Sequence, residues 1–236
     1  MNEDLFNYLL KKFKISKKDF ENHRNYYNNH FDNYDNQIYN DIKTRLVHLK
    51  NFSEKSWFNK RYDLLLKKYN LFDSIIEVGF SLPYLPLKKA KKLPFLVYID
   101  KFDSAITISK EIINYLKSKA IFIEGDIEKK ETWKEIKNDI NGKSLVVCIE
   151  VLEHLEKPEN FWENIKIVSP SNIIVSLPIG PKIPSHNLFF NTDKEAINYL
   201  ERYMHIINQE LISPESSSGR NIDRYKDIIV YGELKK

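Results

Sequence analysis

The chain has 236 residues, enough for one sizeable domain with an appended lobe, and its apolar (42%) and charged (30%) fractions are those of an ordinary globular protein. A net charge of +4 is too small to argue by itself for a nucleic-acid partner, and the lysine run Leu87–Pro94 reads as a solvated helix face. A single cysteine, Cys148, excludes an intrachain disulfide, and no apolar run approaches the ~18 residues of a membrane span. The charged N-terminus has no leader-like apolar stretch, so the cytoplasm is the expected compartment.

Residues 1–70 contain no convincing strand and are expected to form a helical lobe or lid, with an α/β domain over 71–236. Apolar residues recur at helical spacing in Leu5–Phe13 and Trp57–Tyr69. Between them His23–Asn40, rich in Asn and Tyr, reads as a helix pair with a polar break or as a mobile stretch. From Ser74 the pattern changes. Short β-branched runs at 74–78, 95–99, 120–124, 145–149 and 172–177 alternate with helical stretches at 104–119, 130–140 and 158–168. Continuous apolar strands separated by helices predict a parallel sheet covered on both faces, a doubly wound α/β fold. A helix over 192–203, with Thr192 as its cap, precedes strands at 205–213 and 225–234. No helix separates those two strands, so they must be antiparallel.

In such sheets ligands bind at the carboxyl ends of the strands, beside the switch point. The first strand ends in Glu77-Val78-Gly79, where a dinucleotide fold would continue with more glycines to approach a pyrophosphate; here Phe80-Ser81-Leu82-Pro83 follows instead. That turn removes a pyrophosphate cradle and argues against a nicotinamide dehydrogenase. Acidic residues stand at three successive strand ends: Glu77, Asp100 and Asp126. Asp100 follows Gly79 by about the ~20 residues at which a carboxylate accepts ribose hydroxyls. One glycine plus strand-end carboxylates suits a nucleoside with a positively charged tail, such as S-adenosylmethionine (SAM).

In "IIEVG", "VYID", "EGDIEK", "CIEVLEHLEKPENF" and "IIVSLP" the chain resembles the class I SAM-dependent methyltransferases of the small-molecule type, over about residues 74–234. The E-x-L-E-H segment after the fourth strand is the most specific of these. The resemblance implies a Rossmann-like seven-stranded sheet of order 3-2-1-4-5-7-6 with strand 7 antiparallel, SAM as cofactor and S-adenosylhomocysteine (SAH) as product. It implies that Gly79 admits the methionine part, that Asp100 binds the ribose and Asp126 the adenine amino group, and that Glu77 orients the turn or reaches the methionine amine. Phe80, Lys101 and Ile127 flank these positions and complete the expected cofactor set.

Methyl transfer is an in-line displacement that needs positioning, exclusion of water and, for a hydroxyl or amine acceptor, a general base. His186, His154 and Glu150 are the catalytic candidates. With Glu153 they also form a mixed O/N set of the kind that holds a divalent ion, similar to that of small-RNA 2′-O-methyltransferases and of some catechol-type O-methyltransferases; a metal is an alternative rather than the expectation. Tyr26, Tyr27, Tyr34 and Arg61 of the lobe are candidates for contact with cofactor or substrate. The expected reaction is O-methylation of a small polar acceptor: a sugar, a surface-glycan precursor or a phosphorylated or nucleotide-linked metabolite. Two other readings stand beside it, an RNA 2′-O-methyltransferase and a non-catalytic scaffold with a degenerate cofactor turn. No membrane or nucleic-acid partner is expected, and a homodimer is compatible with the sequence.

Overall fold

A computed structural model describes residues 3–30, 41–54, 56–80, 83–88, 92–182, 186–213 and 226–235. Among the described residues five helices lead the chain: α1 (Glu3–Lys12), α2 (Lys17–His30), α3 (Ile42–Glu54), α4 (Ser56–Arg61) and α5 (Asp63–Lys68). The alternating part follows as β1 (Ser74–Val78), α6 (Tyr84–Leu87), β2 (Phe95–Asp100), α7 (Asp103–Tyr115), β3 (Ile121–Glu124), α8 (Lys130–Ile136), β4 (Ser144–Cys148), α9 (Pro158–Asn164) and β5 (Asn172–Ile179). It closes with α10 (Asp193–Leu200), β6 (Met204–Ile212) and β7 (Lys226–Leu234).

The strands form one seven-stranded sheet in the order β3-β2-β1-β4-β5-β7-β6. β1 to β5 pair in parallel, and β7 runs antiparallel to both β5 and β6. This is the expected topology, and its cause is visible in the burial. Every residue of β1, β4 and β5 is buried, as apolar strands covered by helices on both faces must be. β6, at the sheet edge, alternates instead and exposes Ile207 and Leu211.

Alternation along the strands sorts the core into two layers. Ile76, Val78, Val97, Ile99, Val146 and Ile173 point toward α8, α9 and α10, where Trp133, Phe161 and Trp162 fill the layer. Ile75, Leu96, Tyr98, Leu145, Val147 and Ile174 point the other way, into a layer shared with Leu5, Leu9, Phe20, Leu46, Leu49 and Leu65 of the leading helices. Each such leucine, essentially removed from water, contributes on the order of 1.5–3 kcal/mol. The same parity puts Glu77, Asp100, Ser176 and Asp227, all buried, on the face that carries the leading helices. A sheet face with four polar side chains needs partners; the leading lobe supplies them to Glu77, Asp100 and Asp227, and the segment after β4 to Ser176.

Three local expectations change. The single helix anticipated over 57–69 is two, α4 and α5, broken at Tyr62. α3 was not legible as a separate element, because its charged and apolar residues mix around the helix. The 158–168 helix tightens into a 3-10 turn at Ile165–Val168. Of His23–Asn40, residues 31–40 lie outside the described residues.

Candidate active site

The switch point falls between β1 and β4, whose chains leave the sheet in opposite directions along the strand order. At the end of β1 the Gly79 N–H donates to the Ile99 carbonyl (2.8 Å), and Gly79 adopts φ +56. A Cβ there would stand 2.5 Å from Val151 Cγ2, so only glycine fits between the turn and the segment after β4. Phe80 drops its ring into the lobe-side layer, 4.8 Å from Tyr98. Tyr84, just past the turn, stacks on Tyr62 of the lobe at 4.1 Å and 17°. The missing glycines are thus replaced by aromatic anchors.

Glu77 is 3% exposed and accepts a hydrogen bond from Tyr62, while its Oε1 has no partner among the described residues. Burial pushes its carboxyl up to about 8, with the Tyr62 bond pulling the other way. Asp100 ends β2 and its Oδ1 accepts the Phe102 N–H (2.9 Å). Arg45 of α3 faces it, with the guanidinium 5.3 Å above the Phe102 ring. Burial raises the Asp100 carboxyl to about 6, opposed by Arg45 and the local backbone N–H groups. Asp126 takes the Glu128 N–H on Oδ1 (2.9 Å), and the Ile127 carbonyl accepts from Trp133 Nε1 (2.8 Å).

Beyond the switch point the geometry is ionic. Glu150 sits at φ +58, a left-handed conformation that costs a non-glycine residue on the order of 1–2 kcal/mol. Two contacts hold it there. Ser176 Oγ accepts its N–H and donates to its Oε1, both at 2.7 Å, and Arg61 meets its Oε2 at 3.0 Å. Arg61 Nε also donates to Asp227 Oδ2 (2.8 Å), with Nη2 at 2.6 Å from the same oxygen. Burial works against the arginine's charge, but Glu150 and Asp227 outweigh it and raise its pKa. Burial first, and Glu150 second, lift Asp227 to about 7.

Glu153 lies one turn further, 1% exposed, with Oε2 unpartnered among the described residues. Burial and the nearby Glu150 push its carboxyl well above the usual range. Its carbonyl accepts the Asn187 N–H (2.7 Å), and Asn187 Nδ2 donates to the Leu155 carbonyl (3.1 Å), which locks the loop after β5 onto the segment after β4. His154 and His186 then meet edge to face at 4.8 Å. Burial, with His154 beside it, lowers His186 to about 4, so at neutral pH its ring is uncharged. Ligand atoms of Glu153, His154 and His186 all lie within 4.8 Å of one another.

No family model matches the chain, and no curated protein matches it. Solved structures do. The N-methyltransferase NodS from Bradyrhizobium japonicum WM9, bound to SAH, aligns with a TM-score of 0.58 and 16% identity over 79% of this chain and 91% of that one. The methyltransferase domain of bacterial CtHen1 aligns at 0.51 and 14% identity, over 74% and 97%. This chain has the class I SAM-dependent methyltransferase fold. The [4+2]-cyclase SpnF shares it as well, at a TM-score of 0.57 and 10% identity over 75% and 80%, so the fold alone does not name the reaction.

Within this methyltransferase fold, Glu77, Gly79 and Asp100 line the switch-point edge, and Asp126 and Ile127 follow β3 on the same edge. Lys101 is exposed and lies over the Phe102 ring. His154 and His186 come together with Glu153, whereas Glu150 is drawn to Arg61 and Ser176 and is not in that group. Of the lobe candidates, Arg61 reaches the site, Tyr27 is buried, Tyr26 is 56% exposed, and Tyr34 lies outside the described residues. Sequence reasoning missed Arg45, Tyr62, Ser176 and Asp227. Only the burial parity of Ser176 and Asp227 on strands that read as core could have flagged two of them.

Proposed function

We propose that the protein transfers the methyl group of SAM to a hydroxyl of a small polar acceptor, such as a sugar, a surface-glycan precursor or a nucleotide-linked metabolite. The observation that carries this reading is the alignment of Glu77, Asp100 and Asp126 at three neighbouring strand ends around the Gly79 turn, in a methyltransferase fold. Asp100 would take the ribose hydroxyls. Glu77, with an oxygen lacking a partner among the described residues, would meet a donor on the methionine part. Bound there, SAM supplies an electrophilic methyl carbon. Its products with an alcohol are SAH, the methyl ether and one proton, which an acceptor-side base must take up.

The test is thermal unfolding with SAM, SAH, NAD or no ligand. At 100-fold excess over its Kd a true ligand adds about 2.7 kcal/mol of stability. Stabilisation by SAM and SAH but not NAD is expected. Stabilisation by none of them would overturn the reading and favour the scaffold.

A second reading is favoured by the grouping of Glu153, His154 and His186, namely that they hold a divalent cation beside the acceptor. A buried carboxylate oxygen without a described partner and a neutral imidazole are a donor set of the right chemistry. Three donors bound to one ion at about 2.0–2.2 Å stand about 3.0–3.6 Å from one another, so ligand atoms that lie within 4.8 Å would draw together by about an ångström where they stand furthest apart. The ion would act as a Lewis acid that lowers the pKa of an acceptor hydroxyl. Titration with Mn²⁺, followed by electron paramagnetic resonance, checks this: stoichiometric binding lost in His186→Ala supports it, and no saturable binding sinks it.

A further inference from the structure

Arg61 and Tyr62 are adjacent in sequence and serve opposite halves of the site. They stand where α4 ends and α5 begins, with Tyr62 at φ −93, ψ −2. The break in the helix lets consecutive side chains diverge. Tyr62 hydrogen-bonds Glu77 at the end of β1 and stacks on Tyr84 behind the Gly79 turn. Arg61 bridges Glu150, after β4, and Asp227, on β7. Both residues are buried, at 6% and 3% exposure, so neither is a loosely held surface contact. The segment that Arg61 grips runs directly into Glu153 and His154, and Val151 within it presses on Gly79.

We propose that Arg61 and Tyr62 are positioning residues that couple the cofactor edge to the acceptor edge; the proposal rests on Glu77 and Gly79 belonging to the SAM site. Glu77 Oε1 has no partner among the described residues, so a donor arriving there changes the environment of the carboxylate that holds Tyr62. Any shift of Tyr62 is passed through one peptide unit to Arg61. Arg61 holds Glu150 in its left-handed conformation, and that backbone sets the direction of the chain into Glu153 and His154. Coupling of this kind is reciprocal, so an acceptor-side ligand would in turn change cofactor affinity. It also gives the lobe a role beyond covering the sheet: it carries a second link between the two halves, beside the contact of Val151 with Gly79.

The experiment is hydrogen–deuterium exchange on the full chain with and without saturating SAH, in the wild type and in Tyr62→Phe, Arg61→Met and Arg61→Lys. In the wild type SAH should slow exchange at residues 79–80 and 101–102, and also, fivefold or more, at 150–155. Tyr62→Phe removes only the hydroxyl and retains the ring that stacks on Tyr84. It should preserve the first response and lose most of the second. Arg61→Met should do the same, with partial recovery in Arg61→Lys. A purely structural cross-link would loosen residues 150–155 with or without SAH and leave the SAH-induced change intact; that result, or a wild type with no response at 150–155, overturns the inference. A wild type in which SAH protects nothing overturns the cofactor reading, and the inference falls with it, but that outcome differs from the first at residues 79–80.

Discussion

Gly79→Ala tests the close approach that holds the two halves of the site together. The new Cβ would stand 2.5 Å from Val151 Cγ2 and 2.9 Å from Cγ1, closer than carbon atoms come, at φ +56. The left-handed backbone costs an alanine about 1–2 kcal/mol. Overpacking against Val151, which is 8% exposed and backed by core, adds about 1–3 kcal/mol. The variant should therefore lose about 2–5 kcal/mol in urea unfolding, which appears as a Tm drop of about 2–4 °C per kcal/mol for a chain of this size. Val151→Ala alone should cost about 1–2 kcal/mol in lost burial. In the double variant the overlap has no partner, so its loss should fall short of the summed single losses by about 1–3 kcal/mol. Additive losses, or a Gly79→Ala protein within ~0.5 kcal/mol of the wild type, would refute the contact.

Two further expectations concern pH and charge. Asp100 is raised to about 6 by burial, and ribose hydroxyls need its ionised form, so SAH affinity measured by calorimetry should fall as pH drops through 6; Asp100→Asn should bind tenfold or more weakly at pH 7.5 and lose that pH dependence. Glu77, raised from 4.5 to about 8, binds its proton more tightly when folded than when unfolded, so its titration alone should remove up to about 1.4 kcal/mol of stability per pH unit as pH rises across that window, on top of contributions of the same sign from Asp100, Asp227 and Glu153. Glu77→Gln should flatten the slope in urea titrations at pH 5, 6.5 and 8, and an unchanged slope would mean that Glu77 is not the group responsible.

Period and punctuation in the sequence determined most of the architecture. The Ile- and Val-rich runs at 74–78 and 145–149 fit strands covered on both sides, and the helix-free connection before 225–234 forces the antiparallel ending; both are local consequences of backbone geometry. The strand-end acids Glu77 and Asp100 were legible for the same reason, since a carboxylate that closes an apolar run stands out. What only the tertiary structure decided is the partner of each acid. Arg61 lies 166 residues from Asp227, and Ser176 lies 26 from Glu150, so no local pattern links them. Strand parity tells which face a side chain takes, but the partner it meets there depends on how the leading helices dock. That docking is why Glu150, equivalent to Glu153 in the motif, is tied to an arginine while Glu153 stands with two histidines. A buried charge takes its role from whatever neutralises it, and that neighbour is chosen by packing between distant segments.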